Sequence, residues 1–411
     1  MQTPTNSPQK IITKTIWMLS LVSLFTDMAS EMLYPIMPVF LKHIGFSVLL
    51  IGILEGLAEA IAGLSKSYFG KMSDSIGKRL PFVQMGYALS AISKPMMAIF
   101  IYPAWIFLSR TMDRIGKGVR TGARDAMLSD EATSQTKGRV FGFHRSMDTM
   151  GAVFGPAIAL AYLYYNPESY TSLFLIAFAP GLLAIIATFL IKEKTGNSNS
   201  AKGAPSSIKE KVAEIKFFAF AAYWKKSPID YKRLVGGLLV FALFNSSDVF
   251  LLLKMKEAGL YDTAVIGIYI FYNLMYALLA YPVGIIADKI GFKKIFIIGL
   301  IIFSIVYGGF AFDQSLVTYG LLFILYALYA AATEGISKAW VSNLVDKKDT
   351  ATAIGTFSGF QSIAALMAST LTGFLWLKLG PQSTFLITSG ISLLAAFYLV
   401  ALKYRQPSNA C

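Results

Sequence analysis

Arg110, Asp113, Arg114, Lys117, Arg120, Arg124 and Asp125 fall within about four helical turns of one run of the sequence. At helical spacing Arg110, Arg114 and Lys117 share a face. The arginine guanidinium is a planar fork of donors that matches a carboxylate or a phosphate, so this stripe suits recognition of an anion. In the next run, Arg145 and Asp148 add opposite charges one turn apart, and Arg110, Arg114 and Arg145 can equally form internal ion pairs with Asp113, Asp148 or Glu31. Asp27 and Glu31, and again Glu55 and Glu59, are spaced four apart on one face of their runs, where sheltered carboxyls can exchange a proton. Glu55 and Glu59 also read as structural partners of Lys94 and Arg110. Charges nearer the ends of their runs, Lys66, Arg120, Arg124, Asp125 and Asp130, read as snorkelling side chains or gate ion pairs. His144 reads as a packed side chain.

Stripes of this density need an apolar scaffold to hide them. The chain has 411 residues, 55% hydrophobic and 15% charged, with a mean hydropathy of +0.58, far above what a soluble core of that length requires. It is expected to live in a lipid bilayer. One cysteine, Cys411, and two histidines, His43 and His144, leave no basis for a disulfide framework or a metal cluster, so neither metal nor cofactor is expected. The formal charge of +14 reads as lysine and arginine gathered on the cytoplasmic side, not as a nucleic-acid surface. Gly116-Lys117-Gly118 falls short of a phosphate loop, and no nucleophile–base constellation is visible, so the chain does not read as an enzyme.

Apolar runs cover about 14–41, 48–69, 80–101, 103–128, 140–165 and 170–191, then about 234–253, 264–287, 295–312, 316–345, 350–377 and 382–402. Each can cross a hydrocarbon core of ~30 Å at ~1.5 Å per residue. The first has a basic start but reads as a retained helix, because Asp27 and Glu31 interrupt it and no small-residue cleavage site stands out. The expected fold is an all-α membrane protein of twelve transmembrane helices in two pseudo-symmetric six-helix bundles, 1–192 and 234–411. Between them 193–233 reads as a cytoplasmic linker: 195–207 is rich in Gly, Ser and Asn, and Ile208, Val212, Ile215 and Phe218 recur at helical spacing among charges, as in an amphipathic helix. Lys71, Lys78, Arg79, Lys137, Arg139, Lys289, Lys293, Lys294, Lys347 and Lys348 fall in alternate short loops, with Lys403 and Arg405 in the tail. That bias puts both termini in the cytoplasm.

A turn repeats at matching places in the two halves. Gly70-Lys71-Met72-Ser73-Asp74-Ser75-Ile76-Gly77-Lys78-Arg79 recurs as Gly284-Ile285-Ile286-Ala287-Asp288-Lys289-Ile290-Gly291-Phe292-Lys293-Lys294, 214 residues on. A second echo sets Gly142-Phe143-His144-Arg145-Ser146-Met147-Asp148 against Gly355-Thr356-Phe357-Ser358-Gly359-Phe360-Gln361. Such self-similarity signals two like halves. With these turns, two six-run halves and a central loop, the chain resembles the major facilitator superfamily over nearly its whole length. Ser75 and Phe292 depart from the basic residues usual in that turn. The resemblance implies a rocker-switch transporter gated by Gly70, Asp74, Gly77 and Arg79 with Gly284, Asp288 and Gly291, in which Asp74 pairs with Arg120 or Arg124 at the inner end of the fourth helix. Gly151-Ala152-Val153-Phe154-Gly155-Pro156 is similar to the glycine–proline run of the family's antiporters, although Ala159-Leu160 replace the usual glycine pair.

The residues and the resemblance together lead to a secondary active transporter of a small anionic or zwitterionic solute. Arg110, Arg114, Arg145, Asp148, Tyr34 and Asn245 are its expected binding residues, and Asp27, Glu31, Glu55 and Glu59 its proton-coupling acids. Tyr272, Asn273, Tyr276, Tyr326, Trp340 and Ser246 are candidates for the opposite wall, Asp248 is an isolated acid, and Glu334 and Lys338 are spaced to pair within one helix. Two alternatives stand beside this reading: a proton-coupled exporter of amphipathic or cationic compounds, and a non-transporting receptor on the same fold. The expected setting is a bacterial inner membrane, with a solute, lipid and protons as partners, no nucleic acid, and a monomer as the working unit.

Overall fold

The computed structural model describes residues 11–34, 36, 37, 40, 41, 44–46, 48–166, 169–193, 219–312 and 314–401. Among them are thirteen α-helices: α1 (Lys14–Leu33), α2 (Val48–Ile76), α3 (Leu80–Ile99), α4 (Pro103–Glu131), α5 (Lys137–Tyr165), α6 (Tyr170–Thr188), α7 (Ala219–Lys226), α8 (Ile229–Ala242), α9 (Val249–Glu257), α10 (Asp262–Ile290), α11 (Phe292–Phe310), α12 (Leu316–Asn343) and α13 (Thr350–Ala401). Twelve spans map onto twelve of these thirteen helices, the eight-residue α7 belonging to none. The first six match one to one, α8 and α9 are two pieces of the seventh, and α13 contains the last two, which meet at a corner where Gly380 takes φ +80° and Pro381 starts the next helix. The proposed amphipathic helix at 208–218 and the basic tail lie outside the described residues.

The seventh span departs from expectation. One helix over 234–253 was predicted, but α8 begins earlier, with Asp230 in its first turn where the helix dipole favours it, and it stops at Ala242. The chain then unwinds through Asn245, Ser246, Ser247 and Asp248, whose short polar side chains compete with helical backbone bonds.

Polarity is inverted relative to a soluble protein. Leu377, Phe397 and Leu394 are among the most exposed side chains, whereas Lys94, Arg110, Asp125 and Asp148 are buried. Among the described residues, six helical segments are long and apolar enough to span a bilayer by length and composition, and α4 is not one of them. Its charges are tolerated because neighbouring helices cover them.

The two bundles meet along two seams, α2 with α13 and α5 with α10, and both close at the end that bears the repeated turns. A Cβ at Gly70 would lie 2.5 Å from the Ala351 carbonyl oxygen, and one at Gly284 would lie 2.2 Å from that of Gly138. Only hydrogen fits at such points, so the backbones touch. Just beyond, Gly77 and Gly291 take φ of +72° and +95°, which ends each helix in the turn.

Each turn aspartate caps a helix of the opposite bundle. Asp74 accepts hydrogen bonds from Thr352 N at 2.7 Å and Thr352 Oγ1 at 2.8 Å, at the start of α13. Asp288 accepts from Gly138 N at 2.7 Å and Arg139 N at 2.9 Å, at the start of α5. The first N–H groups of a helix lack partners within it and lie at its positive end, so a carboxylate is the natural complement. Asp74 takes its ion pair from Arg79, at 3.3 Å, not from Arg120 or Arg124 as expected. Arg79 also pairs with Asp130 and donates to the Lys347 carbonyl at 2.8 Å.

Two expectations follow from this closure. Gly284→Ala will wedge the seam between α5 and α10. In a Cys411→Ser background it will raise maleimide labelling of Ser67→Cys, a buried position on the other seam, by about tenfold if the bundles move as bodies; an unchanged rate would show that the seams move independently. The second expectation concerns pH. Burial pushes the Asp74 and Asp288 carboxyls up to about 6, against the hydrogen bonds each accepts and the charges of Arg79 at Asp74 and Arg139 at Asp288. If this end opens, water returns both groups towards the ordinary value of 3.8. The closed arrangement therefore holds these protons more tightly and gains on the open one as pH falls from 7.5 through 6 towards 4. Each unit of difference is worth about tenfold in the closed-to-open ratio, and Ser67→Cys labelling, corrected for thiolate fraction, will slow on acidification.

Candidate functional site

Asp27, Ser30, Glu31 and Tyr34 recur at three- and four-residue steps along α1, and Arg110, Asp113, Arg114, Lys117 and Arg120 do the same along α4. These two faces line one pocket. Tyr34 and Lys117 are exposed, Asp27, Glu31 and Arg114 half-buried, and Arg110 and Arg120 buried, so charge runs from the open mouth into the bundle. Four cations and three carboxylates line the pocket, and Lys94 neutralises one of those carboxylates, since its buried Nζ donates to Asp113 at 2.6 Å and to Ser30 at 3.2 Å. The local balance is positive.

Arg120 belongs to this wall. It donates to Ser90 Oγ at 2.6 Å and lies over the Tyr87 ring at 4.6 Å. Arg124 sits deeper, where Nε and Nη2 both meet Asp125 Oδ1, at 2.9 and 2.8 Å, and Nη1 meets Ser23. Both arginines are thus held in mid-bundle, which is why neither reaches the Asp74 turn. Glycines 151 and 155 let α5 lie against the backbone of α1, consistent with a packing role for the glycine–proline run.

A separate layer of ion pairs is built between the bundles. Arg145 donates to Asp148 at 2.8 Å and to the Tyr276 hydroxyl at 2.7 Å, and it pairs with Glu334 of α12. One turn further along α12, Lys338 reaches the fully buried Asp125 at 2.8 Å. The expected pair between Glu334 and Lys338 is replaced by two ion pairs across the seam, because α5 and α4 offer each of them an opposite charge. Their antiparallel polarity sets the register of α12 against the first bundle.

The second bundle contributes aromatic surface. Tyr272 and Tyr276 stack with ring centroids 6.1 Å apart, and Tyr326 lies 5.2 Å from Tyr272. Asp248 accepts from the Tyr326 hydroxyl at 2.6 Å. Tyr269, which the sequence did not single out, lies within electrostatic reach of both Glu31 and Asp248 and so connects the two walls. Other expected lining residues are elsewhere. Asn273 donates to the Tyr269 carbonyl of its own helix, Trp340 is buried against Phe296, and Asn245 and Ser246 sit in the break between α8 and α9. The side chains of Glu55 and Glu59 lie outside the described residues. Lys94, expected to meet Glu55 or Glu59, pairs instead with Asp113 of the next helix, and Thr352, which the sequence did not single out, receives Asp74 from far along the chain.

The chain matches the sequence profile of the Major Facilitator Superfamily over residues 19–271 and 250–410. It is 33% identical over 403 residues to an uncharacterised MFS-type transporter of Methanocaldococcus jannaschii, covering 96% of each chain. The quinolone resistance protein NorA of Staphylococcus aureus is 25% identical over 157 residues, 38% of this chain and 39% of NorA. Among solved structures, the human organic anion transporter MFSD10 superposes with a TM-score of 0.71 at 16% identity, covering 96% of this chain and all of that one. The proton:xylose symporter XylE gives 0.70 at 16% identity, covering 94% and 95%. A helical bundle with apolar flanks, ion pairs across its midline and a profile match over nearly its full length has one consistent assignment: the chain belongs to the major facilitator superfamily, integral multi-pass membrane proteins that are transporters and not enzymes.

Proposed function

We propose that this protein is a secondary active transporter that moves a small anionic or zwitterionic solute by rocking its two bundles, 1–192 and 234–411, against each other so that the α1–α4 pocket is exposed on alternate sides, with 193–233 as a tether. The observation that carries this reading is the excess of cations in a pocket whose one end is sealed by charge layers. Arg110, Arg114 and Lys117 supply the counter-charge to the solute, and Arg145, in the seam between the bundles, is a further candidate contact. The lysine- and arginine-rich turns support a cytoplasmic location for the sealed end, and with that orientation the pocket opens outward. The pocket is complete within one chain, which makes a monomer sufficient.

Asp27 and Glu31 are the acids best placed to couple transport to protons, because they share the pocket with those cations. An anion that engages Arg114 withdraws a positive neighbour from Glu31 and favours its protonation. Solute and proton then travel together. A second reading has one observation in its favour, the partial similarity to NorA: the same acids and the tyrosine wall would then hold an amphipathic cation for export. Uptake and binding profiles across solutes of opposite charge separate the two.

Loss of a charged hydrogen bond costs about 1.5–3 kcal/mol, so Arg114→Gln is expected to weaken binding of the anionic solute by about ten- to hundredfold. Thermal stabilisation by that solute measures it. Equal affinity in parent and variant would remove Arg114 from the site. For coupling, Asp27→Asn and Glu31→Gln variants in proteoliposomes are expected to retain solute exchange but to lose accumulation driven by an imposed pH gradient. Accumulation equal to the parent in both variants would assign coupling to other acids, Glu55 and Glu59 first.

A further inference from the structure

The break between α8 and α9 lies about 20 Å along its span, at 1.5 Å per residue from Ile229, and so in the middle of the bundle. Helical bonding on one side ends with the Leu243 and Asn245 N–H groups turned back to Leu239 and Phe241, and it resumes on the other with Leu251 and Leu252 bonded to Asp248. The carbonyls of residues 242–246 lie between these two sets, at the C-terminal, negative end of the α8 dipole. Unwound carbonyls at the end of a half-helix are well suited to a small cation.

The same segment carries side-chain oxygens of its own. Asn245 Oδ1 and Ser246 Oγ are buried acceptors that meet no donor at hydrogen-bond geometry, and Ser246 as a whole is 4% exposed. Asp248 supplies the charge, with Oδ1 fixed by the Tyr326 hydroxyl at 2.6 Å. The Tyr307 hydroxyl lies beside Ser246. Glu334 and Arg145 are within electrostatic reach of Asp248, and their charges offset each other. The donor set is all oxygen, with no nitrogen or sulfur, which selects hard cations over transition metals. One local carboxylate balances one positive charge, whereas divalent ions favour several carboxylates or retained water.

We propose that the break between α8 and α9 is a binding site for a monovalent alkali cation of sodium size, held by Asp248, Asn245 Oδ1, Ser246 Oγ and the carbonyls that the break frees. The bound ion neutralises Asp248 and ties α9 to α12 through Tyr326. The site is separate from the acids Asp27 and Glu31, and its occupancy does not depend on the transport reading above.

The test uses the full-length protein in nanodiscs of neutral lipid at pH 7.5, without solute. The midpoint of thermal unfolding is compared in sodium, potassium and choline chloride at equal ionic strength, and saturable binding of radioactive sodium is measured directly. Sodium is expected to raise the midpoint saturably over choline and to do so at lower concentration than potassium. Asp248→Asn will abolish the sodium response, and Asn245→Ala will weaken sodium binding by about tenfold, as loss of one inner oxygen implies. A midpoint that is the same in sodium and choline, with no saturable sodium binding, overturns the proposal. So does a midpoint that responds to pH alone, which would make Asp248 a proton site. If Asp248→Asn does not fold, Asn245→Ala decides: unchanged sodium affinity overturns the assignment. Neither measurement involves solute or flux, so its failure is distinct from failure of the transport reading.

Discussion

An ionised side chain inside a hydrocarbon layer has to meet its counter-charge or a strong donor on another helix, because leaving it bare at a helix centre costs roughly 2.5–3.5 kcal/mol even on the mildest scales. This chain places many such groups in its spans, and the way they are satisfied determines which helices touch. Lys94 ties α3 to α4 through Asp113 and to α1 through Ser30. Arg124, Asp125 and Ser23 tie α4 to α1, and Arg145 and Lys338 tie the bundles together. Apolar packing supplies bulk adhesion against lipid only weakly, since lipid tails are as apolar as leucine. Polar pairing and close backbone contact therefore carry the specificity of the assembly.

The internal repeat shows how one solution is used twice and then altered. Asp74 and Asp288 occupy matching turns and make matching contacts, each capping the first turn of a helix in the other bundle. The mid-bundle charges do not repeat. Arg145 and Asp148 correspond in the second half to Ser358 and Gln361, and the second bundle presents tyrosines where the first presents arginines. A symmetric closure thus surrounds an asymmetric pocket. Symmetry suits motion between two equivalent arrangements, whereas asymmetry suits recognition of a solute with two unlike ends.

Much of this was legible in the sequence because it depends on period and composition. Apolar run lengths found the spans, and the spacing of Arg110, Arg114 and Lys117 found the face that lines the pocket. The repeated turn located the closing end. What the sequence did not disclose depends on register between distant elements. Nothing local to Thr352 says that it will receive Asp74, and Glu334 with Lys338 has the spacing of an ordinary intrahelical pair. The break at Asn245–Asp248 was read as part of a helix, since the apolar residues on both sides sustain the run and only four consecutive polar residues mark the gap. Short polar clusters of that kind deserve more weight inside a span than in a soluble helix, because no water is present there to satisfy a broken backbone.

A transporter needs a closed state that is stable but not locked, and the seam charges meet that need through double partnering. Arg145 has Asp148 within its own bundle as well as Glu334 across the seam. Asp125 has Arg124 as well as Lys338, and Asp74 has Arg79 as well as Thr352. When the bundles part, each of these three first-bundle ions exchanges its second partner for water and keeps the first. None is left bare at any stage, so opening avoids the roughly 3–5 kcal/mol penalty of breaking an isolated buried pair. Exposure is graded in the same sense: Asp125 is fully buried, whereas Glu334 has a side chain 44% exposed. The pair between Arg145 and Glu334 is therefore the more screened of the two seam pairs, and its release is the less costly.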